Sequence, residues 1–181
     1  MRLRRRTYAG QASSEHSHRD RARRRSGNIF VETVFTIVPM FALIAAFVDF
    51  GLLLYRWTTL QNAVREGCRY AITFQRSGSL GQDASIGSIV QQYAMGLVKT
   101  NDTPQHIFVN YYAPTDLTTA ISVGGNIPGN VVEVSVQNIS WAWLAPLSGT
   151  FALRSLTPIT LNVYSSDLLG GYPVGVNSVP R

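Results

Sequence analysis

Residues 29–55 form an almost uninterrupted apolar stretch, and this feature most strongly limits how the chain can fold. No charged residue occurs in residues 33–48. A helix over residues 29–54 would be about 39 Å long at about 1.5 Å per residue, whereas a bilayer core of about 30 Å needs about 20 such residues. The apolar region of a secretory signal is shorter, with about 7–15 residues. The stretch therefore predicts a transmembrane helix at residues 28–55. A buried helix of a soluble domain is the alternative, but such a helix is rarely apolar on every face.

An arginine-rich arm, residues 1–27, precedes this stretch. Nine of the 16 basic residues of the chain lie in its first 25 positions, and all nine are Arg. Because positive charge stays on the cytoplasmic side of a membrane, we predict a cytoplasmic N-terminus and an outer location for everything after Tyr55. The arm has too few apolar residues to bury a core, which predicts disorder. A nucleic-acid-binding arm and a twin-arginine export signal are the alternatives.

The remainder of the chain predicts a small α+β domain at residues 56–169. Helical periodicity extends the first helix to about Phe74 and gives a second helix from about Asp83, a candidate cap, to Lys99. Three strands of an antiparallel sheet are predicted at residues 107–112, 131–139 and 159–164. In the second strand, alternation places Val134 inward and Ser135 outward. Residues 170–181, rich in Gly, Pro and Val, are predicted to be a flexible tail.

The motifs of common enzyme classes are missing from the sequence. Of the three His residues, His16 and His18 lie in the arm, and His106 has no accompanying nucleophile motif. No phosphate-binding loop occurs, and Cys68, the single cysteine, provides no metal-binding pair. We therefore expect a protein that is not an enzyme and that needs no cofactor or metal. Cys68 itself fits a small packing residue better than a reactive thiol.

Three segments carry a resemblance to a known family. They are Gly-Asn-Ile-Phe-Val-Glu at residues 27–32, Val-Asp-Phe-Gly-Leu-Leu-Leu-Tyr at residues 48–55, and Leu-Gln-Asn-Ala-Val-Arg-Glu-Gly-Cys-Arg-Tyr-Ala at residues 60–71. With Pro39 between them, they resemble the TadE-like proteins, minor pilins (pseudopilins) of the tight-adherence (Flp) pilus, a relative of type IV pili. The resemblance implies a precursor in the bacterial inner membrane and a role in pilus assembly, adhesion and biofilm formation. The implied partners are a prepilin peptidase, other pilins and the Tad secretion machinery, with no nucleic acid.

The resemblance also assigns roles to single residues. It places a cleavage site between Gly27 and Asn28, and peptidase recognition and assembly at Glu32. The alternative for Glu32 is a carboxylate that reaches the membrane interface. The long Arg-rich leader departs from the family pattern, as does Thr33, which stands where major Flp pilins have Tyr. The second departure favours a minor component over the main fibre subunit.

Three further residues are features of the predicted membrane helix: Pro39, Asp49 and Gly51. Asp49 lies either at the outer membrane interface or at a functional position within the membrane. A different class of function stays open beside the pilin interpretation. In it, the chain is an unprocessed single-pass membrane protein whose outer domain binds a partner, with the arm as a cytoplasmic contact.

Overall fold

The computed structural model describes residues 12–143 and 158–181, with side chains from Ile29 onward. Its elements confirm the α+β class. They are two helices, α1 (Ala12–Ile72) and α2 (Gln82–Tyr93), and four strands, β1 (Ile107–Ala113), β2 (Asp116–Ala120), β3 (Val131–Trp141) and β4 (Ile159–Leu168). The chain divides into two compact units, Met1–Phe47 and Val48–Arg181.

In the first unit the structure describes residues 12–47, the N-terminal part of α1. Its apolar side chains are exposed, as Phe35 shows at 78 %. From Ile29 onward, α1 is long and apolar enough to cross a membrane, judged by length and composition. The helix begins at Ala12, not near Ile29, so the prediction of disorder is corrected for residues 12–27; residues 1–11 lie outside the described residues. Residues 12–26 contain Ala, Arg and Glu but neither Gly nor Pro, so their helix propensity favours continuing the apolar helix.

The core of the second unit is built by α1, α2 and one face of the sheet. At Gly67, α1 packs closely against α2 and β3. A Cβ atom on this residue would lie 2.5 Å from Cγ2 of Val90 and 3.4 Å from Cγ1 of Val134. Buried residues of α1 recur at helical spacing, which is what the sequence predicts for residues 60–71. The main core residues are Leu60, Ala63, Val64, Cys68, Ala71, Ile86, Val90, Tyr111, Val132, Val134, Val136 and Val163.

The sheet has the order β2-β1-β3-β4, and every neighbouring pair is antiparallel. Three of its strands match the predicted ones, although β3 and β4 extend further, to Trp141 and Leu168. The fourth, β2, was not predicted, because its sequence Asp-Leu-Thr-Thr-Ala has no apolar alternation and all five of its residues are exposed. It pairs with β1 only around Tyr112 and Ala113.

Ser135 of β3 is buried, although its outward position in the alternating pattern suggests that it is exposed. It does point away from the inner core, but it is only 1 % exposed. Its neighbours in register are Phe108 on β1 and Tyr164 on β4, and Nε2 of Gln137 donates to its Oγ over 3.0 Å. A small residue between two larger aromatic ones on adjacent strands is shielded from solvent even on an open sheet face.

Helix α2 is shorter than predicted and has a different start. Its N-cap is Gly81, and no side chain caps it, so Asp83 is not the cap. The helix ends at Tyr93 because Met95 and Gly96 adopt positive φ values of 51° and 83°. A left-handed residue terminates an α-helix.

The tail, residues 170–181, is attached to the domain where the sequence predicts flexibility. Val179 is buried. The backbone N–H of Gln82 donates to the carbonyl of Pro180 over 2.9 Å, and Nδ2 of Asn126 donates to the carbonyl of Val179 over 2.7 Å. These contacts lie 53 or more residues away along the chain, so local composition gave no sign of them.

Candidate processing and assembly segment

Gly27, Asn28 and Glu32 lie within about one and a half turns of α1. The peptide bond between Gly27 and Asn28 is therefore part of a continuous helix. A protease that binds its substrate extended would have to unwind this helix locally. Gly27 lowers the cost of doing so, because glycine is about 1 kcal/mol less favourable than alanine within a helix.

Glu32 lies on the exposed surface of the first unit. Its backbone carbonyl accepts a hydrogen bond from Oγ1 of Thr36 over 3.1 Å, and Oγ1 of Thr33 donates to the carbonyl of Ile29 over 2.8 Å. The two hydroxyls are thus satisfied within the helix, as a lipid environment requires. Among the residues whose side chains are described, from Ile29 onward, the Glu32 carboxylate makes no ion pair.

Pro39 also belongs to the first unit. It lies inside α1, where it lacks the N–H that would continue the helix hydrogen bonding. The helix nevertheless runs on past Pro39 to Ile72.

Asp49 and Gly51 lie in the second unit. Asp49 is only 1 % exposed, so its carboxylate is shielded from solvent, in contrast to that of Glu32. Gly51 is exposed, and a Cβ atom there would meet nothing within 4 Å. No close packing against the described residues therefore requires glycine at residue 51.

A polar cluster at the start of α2 was not found from the sequence. Gln82 is fully buried, and its Nε2 donates to the carbonyl of Ala71 over 3.0 Å. Its Oε1 accepts from Nδ2 of Asn126 over 3.0 Å. No local sequence pattern marks any of these residues, because residues 71, 82 and 126 come together only in the folded chain.

Cys68 is a packing residue, as predicted. It is buried in the core, and burial raises the pKa of its thiol to about 11, with Asp167 adding to the rise and a hydrogen bond from Ser165 opposing it. The thiol is therefore protonated near neutral pH and is a poor nucleophile. Among the described residues there is no group of three or more His, Cys, Asp or Glu side chains that could hold a metal ion.

Comparison with known proteins supports the family resemblance over one segment. A family model described as TadE-like protein matches residues 27–69, which begin at Gly27 and include Glu32, Pro39, Asp49 and Gly51. A search of curated proteins and a search of solved structures each found no match. Residues 27–69, which lie within the long helix α1, are thus a TadE-like segment.

Proposed function

We propose that this protein is a TadE-like minor pilin, or pseudopilin, that takes part in assembling a tight-adherence (Flp) pilus. The observation that carries the proposal is the family match, which starts at Gly27 and covers the exposed apolar helix. In this proposal the precursor sits in the bacterial inner membrane with its N-terminus in the cytoplasm. A prepilin peptidase cuts between Gly27 and Asn28.

The proposed cleavage has a direct chemical consequence. It gives Asn28 an α-amino group, which is positively charged below its pKa of about 7.7–8.0. In a bundle of helices, this cation pairs with the Glu32 carboxylate of a neighbouring subunit. The exposed position of Glu32 supports this step. The pair would offset the cost of a carboxylate in lipid, and loss of the arginine-rich leader would remove charge that opposes close packing.

The remaining structure fits a structural role in place of a catalytic one. Exposed apolar side chains along the first unit, such as Phe35 and Phe47, offer a surface for lipid or for other helices. The second unit has a well-packed core, and no catalytic constellation was found in the sequence. Adhesion and biofilm formation would then follow from the fibre.

The test is the N-terminus of the mature protein, purified from membranes of cells with an active pilus system. Intact mass and N-terminal sequencing should give a chain that begins at Asn28. Gly27→Val should leave the full-length precursor. The Glu32→Gln protein should still insert into the membrane, but less of it should co-purify with other pilins. The Glu66→Gln protein, changed further along α1, should co-purify normally. A mature protein that still begins at Met1 would refute the pilin proposal and favour an unprocessed single-pass protein with an outer partner-binding domain.

A further inference from the structure

One edge of the sheet is incomplete. Strand β2 pairs with β1 at Tyr112 and Ala113, and the backbone N–H of Ile121 then donates to the carbonyl of Tyr111 over 2.7 Å. Beyond this bond the chain leaves the sheet through Gly124, which has a φ of 67°. Among the described residues, the first half of β1 therefore has β3 on one side and no strand on the other.

The directions of the β1 backbone groups follow from three hydrogen bonds. Gln137 donates its backbone N–H to the carbonyl of His106 over 2.9 Å, so even-numbered residues of β1 point their polar groups towards β3. Odd-numbered residues must then point away from β3. The carbonyl of Tyr111 does so, as does that of Ile107, which accepts from Nε2 of Gln105 over 2.8 Å.

Val109 lies between these two residues, and its N–H and C=O must point in the same outward direction. Across residues 12–143 and 158–181, neither group has a hydrogen-bond partner. An extended backbone with a free donor and a free acceptor on one side is a template for a further strand.

This edge opens into a groove of about 500 Å³ between β1 and α2. The α2 wall carries small side chains, at Ala84, Gly87 and Ser88, which leave room beside β1. The charged residue in the lining is Asp83, and both of its oxygens are engaged, Oδ1 by Tyr111 and Oδ2 by Arg181. The groove thus has a volume that can take a short peptide segment, and its described lining presents no free charge.

We propose that this groove binds an extended, uncharged segment of another polypeptide, which adds a strand to the free edge of β1. The backbone of the segment would pair with the N–H and C=O of Val109, and an alternate side chain would lie over Ala84, which is exposed. Strand addition at a sheet edge draws its affinity from main-chain hydrogen bonds, which is the chemistry that Val109 leaves unsatisfied. The proposal rests on this edge alone and does not depend on the pilin function.

The opposite edge of the sheet provides a contrast. On β4, the carbonyl of Tyr164 accepts from Nε2 of Gln61 over 3.2 Å. The N–H of Leu168 donates to the side chain of its neighbour Asp167 over 2.8 Å. Side chains therefore occupy two outward groups of β4, as in sheets that protect their edges, although Ser166 between them has no such partner among the described residues.

The test uses the full-length chain in detergent micelles and the peptide acetyl-Thr-Val-Thr-Val-Thr-amide as the probe. Titration to about 5 mM, a range that detects dissociation constants of about 1 mM, should shift the NMR signal of the Val109 amide and slow its hydrogen exchange. A fully N-methylated peptide with the same side chains should bind at least about tenfold more weakly, because it lacks the backbone donors. No shift at Val109, or equal binding of the methylated peptide, would overturn the proposal.

Two variants and one control variant locate the binding site. Ala84→Leu fills the groove from the exposed surface of α2 and should weaken binding at least about tenfold. Gln92→Leu adds the same side chain at an exposed position of α2 that does not line the groove, and should bind like the unmodified protein. Val109→Pro removes the outward N–H without removing a β1–β3 hydrogen bond, as proline does on strand edges, and should also weaken binding. Unchanged affinity in a folded Ala84→Leu protein would refute the location.

Discussion

The guanidinium of Arg181 is held by the carboxylate of Asp83, with Nε 2.9 Å from Oδ2. The other carboxylate oxygen accepts from the hydroxyl of Tyr111 over 2.7 Å, and the guanidinium lies 4.8 Å from the centroid of the Tyr111 ring. One acid, one phenol and one cation therefore connect the tail, α2 and β1. Because the ion pair is partly exposed, we expect the hydrogen bond to the buried Tyr111 to matter more than the charge attraction.

Tyr111 should make the domain sensitive to alkaline pH. Burial first, and then the hydrogen bond to Asp83 and its negative charge, raise the pKa of Tyr111 above its usual value of about 10. The folded state therefore keeps the phenol protonated while the unfolded chain ionises. The stabilisation is complete below pH about 10 and is lost as the pH rises above it. Unfolding by denaturant, followed between pH 8 and 11.5, should show this loss.

The control for this prediction is Tyr111→Phe. It should cost about 1 kcal/mol at neutral pH through loss of the hydrogen bond, but it should flatten the fall in stability above pH 10. Tyr93→Phe, an exposed tyrosine of α2, should change neither quantity. If the alkaline loss of stability is the same with Phe at residue 111, Tyr111 is not its source.

Replacement by Asp should destabilise the domain at two residues of β3, Val134 and Ser135. The sequence alone predicted this effect for Val134 and a much smaller one for Ser135. Val134→Asp should lower the free energy of unfolding by at least about 3 kcal/mol, since it places an unpaired carboxylate in the core. Ser135→Asp should also destabilise the domain, because Ser135 is as well buried as Val134. Ser140→Asp, on an exposed residue of the same strand, is the matched control and should cost less than about 0.5 kcal/mol. Denaturant titration measures the free energy of unfolding of the three variants. If Ser135→Asp lowers it no more than Ser140→Asp does, the prediction is contradicted.

The two glycines of α1 that lie in the second unit should respond in opposite ways to alanine. In Gly67→Ala the new Cβ would lie 2.5 Å from Cγ2 of Val90, so we expect overpacking that costs about 1–3 kcal/mol. In Gly51→Ala the Cβ meets nothing within 4 Å, and the better helix propensity of alanine should leave the domain at least as stable. Thermal unfolding in micelles would compare them. A Gly67→Ala protein that is not destabilised would show that α1 and α2 pack less closely than described.

What the sequence revealed about the fold depended on how local each signal was. The apolar length of residues 29–55 and the alternation around Val134 are local patterns, and both led to the observed elements. Strand β2 was missed because none of its residues is buried, so it leaves no pattern. The attachment of the tail was missed because Arg181 finds its partner 98 residues away, at Asp83.

The candidate site divides in the same way. The family resemblance located Gly27, Asn28 and Glu32 from a short contiguous motif, and the same residues begin the matched segment. The free edge at Val109 had no sequence signal, since its residues read as an ordinary strand. It appears only when the paired and unpaired sides of β1 are distinguished by their hydrogen bonds.

The orientation of the chain in the membrane gives the last prediction. Nine Arg residues precede the apolar stretch, so the chain after Tyr55 should lie on the outer side of the inner membrane. Ser79→Cys and Val123→Cys place a thiol at exposed positions, of which Val123 is 84 % exposed. Val123 is preferable to Asn126 in this loop because Asn126 is buried.

In a Cys68→Ser background, a membrane-impermeant maleimide should label both sites in intact spheroplasts. Ser14→Cys in the arm, scored on the uncleaved precursor, should be labelled only after lysis. Protection of both outer sites until lysis would reverse the orientation and place the proposed cleavage site on the wrong side of the membrane.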